Sequence, residues 1–160
     1  MATGATTVLD FRELPESMIS IPFNIIQIDD EGVHIMVEAF LYRKKLRLIL
    51  DTGASRTVLD YTLLRERFPS LHPKPMEAKT TGLGTSDYPG FSLTLPSIQL
   101  GGYRFMKPEV VVLDLSHVNA TYNKLGHKAI HGVLGSDLLM KAGALIDYRN
   151  AVLYLLEDTV

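Results

Sequence analysis

Apolar positions along this chain fall mainly in short runs of strand length, separated by turn formers. Runs at Ile19–Ile28, Val33–Leu41 and Leu46–Leu50 are followed by Thr57-Val58-Leu59, the alternating stretch Phe91–Leu95, and Val110–Leu113. Their length, their β-branched content and the glycines and prolines between them predict strands. Gly101-Gly102 predicts a hairpin-like turn ahead of Val110–Leu113. Tyr61–Phe68 predicts a short helix, stopped by Pro69, and Pro73-Lys74-Pro75 marks a loop or edge. Residues 116–131 are polar, with Asn, His and Gly, and read as a long loop bordering a cleft. Near the end, the short apolar strand Ile130–Leu134 meets Gly135, and a short helix is expected from Ser136 to about Lys141. Ser136 is placed to cap it, Asp137 suits its first turn, and Gly143 ends it. Two further strands, Ala144–Tyr148 and Ala151–Leu155, are joined by a turn at Arg149-Asn150.

One aspartate stands out against this pattern. In Leu48-Ile49-Leu50-Asp51-Thr52-Gly53-Ala54-Ser55, three aliphatics deliver a carboxylate into a turn that glycine permits. Burial and neighbouring backbone N–H groups can hold such a carboxylate rigidly. The same residues also fit a strand ending in a plain Asp-Thr-Gly turn. No second Asp-Ser/Thr-Gly occurs in the chain. Asp114 and Asp147 also follow aliphatic runs, but Leu115-Ser116 and Tyr148-Arg149 come after them.

Together these residues resemble the retropepsin-like aspartic peptidases, the single-lobed relatives of pepsin, and are most similar to the bacterial-type domains. The resemblance rests on Asp51 to Ala54, a glycine-bearing stretch from Thr80 to Thr85, the run Gly132 to Leu138, and Ile146 to Tyr148. It spans residues 20–157 or so. It implies a mainly β fold, a retropepsin-like closed barrel with one short C-terminal helix. It also implies an active site completed by two-fold dimerisation. Asp51 would be catalytic, one per subunit, because this chemistry uses two carboxylates sharing a proton. With 160 residues the chain is short for two lobes, so the second carboxylate would be Asp51 of another copy.

The same resemblance assigns the remaining roles. Thr52 would hydrogen-bond across the two-fold axis, Gly53 would offer its backbone to substrate, and Ala54 would complete the loop. Thr81, Gly82, Leu83 and Gly84 would belong to a mobile flap closing over peptide. Gly132, Leu134 and Gly135 would support the site from beneath. Two positions depart from the viral pattern. Ser55 and Ser136 stand where viral enzymes carry a paired Asp and Arg. Ala54 replaces the hydroxyl that supports the charged carboxylate in pepsin-like enzymes, so activity is expected at mildly acidic pH. The implied partners are a second copy and a protein or peptide substrate, with no cofactor. The alternative is a catalytically weak or silent peptide-binding or assembly module on the same fold.

Composition adds exclusions. Apolar residues make up 46%, enough for a sizeable core, and the net charge of −2 predicts neither a nucleic-acid nor a membrane surface. The basic cluster Arg43–Arg47 reads as a solvated hairpin turn. Cysteine is absent, so there is no disulfide framework. No signal-peptide pattern is visible at the start, and a cytoplasmic location is expected. His117, His127 and His131 lie too loosely, beside Gly126 and Gly132, to predict a metal site. His34 and His72 read as surface residues. The expected organisation is a tail or extra element over 1–17 and one peptidase-like domain over 18–160.

Overall fold

The computed structural model describes residues 17–30, 32–77 and 90–157. In chain order the elements are β1 Met18–Pro22, β2 Asn24–Ile28, β3 Gly32–Leu41, β4 Lys44–Leu50, β5 Val58–Asp60 and α1 Tyr61–Arg67. They continue with β6 Lys74–Pro75, β7 Phe91–Thr94, β8 Ser97–Leu100, β9 Tyr103–Met106, β10 Glu109–Leu113 and α2 Ser116–Lys124. The last four are β11 Gly132–Leu134, α3 Ser136–Lys141, β12 Leu145–Asp147 and β13 Val152–Leu156, with the α3 bounds as expected from sequence.

The protein is mainly β. A large sheet runs in the order β6-β7-β10-β5-β11-β4-β3-β8-β9, with β2 added to β3, and a smaller sheet runs β1-β13-β12. Among the described residues the large sheet is an open path ending at β6 and β9, which departs from the closed barrel expected. Among the described residues there are three helices, the expected α1 and α3 and an additional α2. The additional α2 lies inside the stretch read as a loop. Its N-cap, Leu115, provides no side-chain hydrogen bond, and Tyr122 is its only buried residue. A helix held by one aromatic anchor leaves almost no periodic apolar signal.

The apolar run Ile19–Ile28 also divides. Phe23 is buried and its N–H reaches Ala151 O at 3.0 Å, so β1 joins β13 while β2 joins β3 in the other sheet. β13 is paired on both sides within the chain, by β1 and β12. The basic cluster is not a turn. Tyr42 and Arg43, at φ 46° and 65°, make the two-residue connection, and Lys44 onward is already strand. Positive φ at both central residues matches the hand of twisted hairpins, although neither residue is glycine or asparagine.

Strand β4 is covered on both faces. Leu46, Leu48 and Leu50 enter the main core with Val37, Ala39 and Leu41 of β3. Ile49 points the other way, into a second cluster with Met36, Leu115, Tyr122 and Ile130 beneath α2. Such two-sided burial explains the continuous aliphatic run before Asp51. Each of these aliphatics contributes about 1.5–3 kcal/mol by leaving water. The strand that carries Asp51 is therefore one of the most firmly seated in the molecule.

Candidate active site

Asp51 opens the loop between β4 and β5, and β11 is threaded between those two strands. It pairs parallel with β4 over Leu48–Leu50 and antiparallel with β5 at Val58 and Leu59. Where β11 ends, Leu134 O accepts the Asp51 N–H at 3.0 Å. Leu134 itself is fully buried. The threading needs bare backbone. A Cβ on Gly132 would sit 2.2 Å from Val58 O, and one on Gly135 would sit 2.6 Å from the Arg56 carbonyl carbon and 2.8 Å from Ala54 O. These two glycines are required by close approach of main chains.

The loop folds back over its own carboxylate. Gly53 N–H donates to Asp51 Oδ1 at 2.8 Å, and Ala54 N–H donates to Asp51 O at 3.2 Å. A Cβ on Gly53 would crowd Asp51 Oδ1 at 3.2 Å. Asp51, Thr52 and Gly53 are exposed on the single chain, and Ala54 is half-buried. Asp51 Oδ2 and the Thr52 hydroxyl have no hydrogen-bond partner among the described residues. One carboxylate oxygen is thus fixed by a backbone donor and the other is left without one on an exposed residue.

Helix α3 holds the far side of the loop. Ala54 O accepts from both Ser136 N–H at 2.8 Å and Ser136 Oγ at 3.0 Å. The expected capping role of Ser136 is therefore corrected. Gly135 occupies the N-cap position, and the Ser136 hydroxyl is spent on the Asp51 loop. Ser55 is exposed. The link between loop and helix that Ser55 and Ser136 lack as an ion pair is made next door. Arg56 Nε lies 3.6 Å from Asp137 Oδ2, and Arg56 Nη2 lies 2.9 Å from Glu109 Oε1.

Thr57 and Asp137 form the part of the site that sequence reasoning missed. Thr57 is fully buried, and its N–H and Oγ1 donate to Asp137 Oδ2 at 3.0 Å and Oδ1 at 2.7 Å. The Gly135 N–H completes the network by donating to Thr57 Oγ1 at 3.0 Å. Asp137 is not simply a dipole partner in a first turn. It joins α3 to the strand that leaves the Asp51 loop. The one legible signal was a polar threonine inside the apolar run Thr57-Val58-Leu59. Asp60, also buried and also missed, caps α1 through Leu63 N–H and accepts Leu115 N–H at 2.9 Å.

The other strand-end aspartates serve local turns. Asp114 Oδ1 accepts Ser116 N–H, and Asp147 accepts from the Asn150 backbone and side chain. These hydrogen bonds hold both carboxyls below their ordinary value. Thr81, Gly82, Leu83 and Gly84 lie outside the described residues, as does the expected tail except for Ser17. Among the described residues no three His, Asp or Glu side chains are grouped to hold a metal, and no helix is long and apolar enough to cross a membrane. His131 Nδ1 accepts the Arg47 N–H at 2.9 Å, and His127 Nε2 is paired with Gln27 O.

A retropepsin-like aspartic protease from Rickettsia conorii superposes with a TM-score of 0.54 at 22% identity, covering 88% of this chain and 90% of its own. The EIAV protease complexed with the inhibitor HBY-793 gives 0.48 at 18% identity, covering 76% and 99%. The retroviral protease-like domain of Ddi1 from Leishmania major gives 0.46 at 12%, covering 79% and 98%. No curated protein matches the sequence. The family model described as "Aspartyl protease" matches residues 37–138, from within β3 to the first turn of α3. With more than half its length so matched, and with a retropepsin-like fold, the chain belongs to the aspartyl protease family.

Proposed function

We propose that the protein is an endopeptidase that works as a homodimer, with a water activated between two Asp51 carboxylates, one from each subunit. The observation that carries this reading is the Asp51 loop itself. Its carboxylate is exposed, with one oxygen tied to Gly53 N–H and the other unpaired among the described residues. The other strand-end carboxylates of the same chain, Asp114 and Asp147, are committed to local turns. A second copy related by a two-fold axis supplies an identical group without any new motif.

In the dimer, two carboxyls in contact share one proton, since both cannot ionise together. The ionised member takes a proton from water as its oxygen bonds to the peptide carbonyl carbon. The protonated member supports the carbonyl oxygen, and a proton then passes to the leaving nitrogen as the C–N bond breaks. Thr52, exposed and without a partner among the described residues, would tie the two loops across the axis. Peptide would bind extended, by strand-like backbone pairing, under flaps built around Thr81, Gly82, Leu83 and Gly84.

The test is cleavage of a mixed peptide library between about pH 3 and pH 8, beside an Asp51→Asn control, with the oligomeric state measured by sedimentation. Cleavage that peaks in mild acid and disappears in the variant is expected. A dimer that cleaves nothing, or cleavage that survives in Asp51→Asn, would contradict the proposal. The first of those results would favour a peptide-binding module.

A further inference from the structure

A second polar recess lies about 13 Å back along β4 from Asp51, at strand rise. It is a cavity of about 310 Å³ between the outer surface of β2–β3–β4 and the turn that follows α2. Asn24, Glu38, Arg47, Gly126, His127 and Lys128 line it, together with Ile26 and Met36. Arg47 decides its character. The guanidinium Nε is buried and has no hydrogen-bond partner. Among the described residues no carboxylate pairs with it, because Glu38 directly across the strand pair is engaged by Lys45 Nζ at 2.9 Å. A charged donor removed from water without an acceptor is costly, and native structures normally supply one.

The neighbours on the inner side cannot supply it. Burial holds His131 below its usual value, with the positive charges of Arg67 and Arg47 acting in the same direction. Its Nδ1 is already taken by the Arg47 N–H. The Tyr122 hydroxyl is engaged with His34 Nδ1. His127 turns Nε2 to Gln27 O. Glu38 is balanced by Lys45, which leaves Arg47 and Lys128 as the cations of the recess. The planar edge of a guanidinium matches the two oxygens of a carboxylate.

We propose that this recess binds a carboxylate group, held by Arg47 with Lys128 as second cation and the Asn24 amide as a polar wall. The volume is at the lower end of ligand sites, enough for a small organic acid or the terminal residue of a peptide. Arg47 is clamped on both sides by His131, whose N–H reaches Arg47 O, and His131 leads straight into β11.

The experiment is an amide chemical-shift titration of the ¹⁵N-labelled protein at constant ionic strength, with chloride as balancing salt. The probes are acetate, succinate, inorganic phosphate, and one short peptide with either a free or an amidated C-terminus. Saturable shifts confined to the surroundings of Asn24, Glu38, Arg47 and His127 are expected with the carboxylates. Arg47→Met should weaken binding by about tenfold or more, and Arg47→Lys, which lacks the planar fork, by several-fold. Lys128→Ala, a surface change that leaves the fold alone, should weaken it by a few-fold. Tighter binding of the free-ended peptide than of succinate identifies a chain end as the source, and the reverse identifies a small acid. Linear unsaturated shifts, shifts unchanged by Arg47→Lys and Lys128→Ala, or phosphate binding more tightly than any carboxylate would overturn the assignment.

Discussion

Replacing Thr57 by valine removes one oxygen from the centre of the network that fixes the Asp51 loop to α3, and keeps the shape. Thr57 is fully buried, so water cannot take the place of that oxygen. The Gly135 N–H would lose its acceptor at 3.0 Å, an unpaired buried donor costing about 1–3 kcal/mol. Asp137 would lose its 2.7 Å bond from the hydroxyl, while keeping those from Thr57 N–H and Leu138 N–H. A hydrogen bond to a charged group contributes about 1.5–3 kcal/mol, and the lower end applies here because the Asp137 side chain is 22% exposed. The two losses together come to roughly 2–4 kcal/mol. For a chain of this length that lowers the midpoint of thermal unfolding by roughly 5–15 °C. Thr57→Ser is the necessary companion. It keeps the hydroxyl and loses a buried methyl, so it should cost only about 1 kcal/mol. Urea and thermal unfolding of both variants, at one fixed protein concentration, measures the difference. If Thr57→Val lies within about 0.5 kcal/mol of the parent, or if Thr57→Ser is as damaged as Thr57→Val, the network does not hold the loop as argued.

Other predictions concern the same framework. Alanine at Gly132 or Gly135 would place a Cβ inside van der Waals contact with fixed backbone, and either should cost more than about 3 kcal/mol in chemical unfolding. By contrast, a Cβ at Gly126 meets nothing within 4 Å, so alanine there should cost only the left-handed backbone, about 1–2 kcal/mol. Asp60→Ala should cost about 2–4 kcal/mol by stripping both the α1 cap and the acceptor for Leu115 N–H. His131 has a folded value below its ordinary 6.5, so the unfolded chain takes the proton first as pH falls. Its contribution is complete above pH 6.5 and declines as pH drops below it, and His131→Asn should flatten stability against pH in that window. Asp114 and Asp147, also lowered, add losses further into acid.

What the sequence revealed and what it hid divide along the range of the interactions. Helix α3 and the Leu145–Leu156 hairpin were legible because a glycine, a short apolar run and a turn lie side by side in the chain. The Asp51 loop was legible for the same reason. The threading of β11 between β4 and β5 was not, because nothing in Gly132-Val133-Leu134 says which strands it separates. Only the bare Cα of Gly132 hints that a backbone passes close by. Helix α2 escaped notice because one buried tyrosine holds it, leaving a polar sequence that reads as loop. The division of Ile19–Ile28 was overlooked although Pro22 and Asn24 flank Phe23 there, and the Phe23 N–H bond to Ala151 O marks where the chain passes from one sheet to the other. Thr57, Asp60 and Asp137 share one lesson. A polar residue at a strand end or helix start has many local readings, and only the fold shows that Thr57 and Asp137 tie α3 to the strand leaving the Asp51 loop while Asp60 joins α1 to Leu115.

The central claim is that one catalytic unit needs Asp51 from two subunits. Mixing wild-type and Asp51→Asn chains, unfolding and refolding them together, and measuring peptide cleavage per total protein tests this directly. If both carboxylates act as a pair, an equal mixture should retain about a quarter of the wild-type activity, because only wild-type pairs work. Retention of about half, with activity linear in the wild-type fraction, would mean that each chain acts alone and would contradict the account.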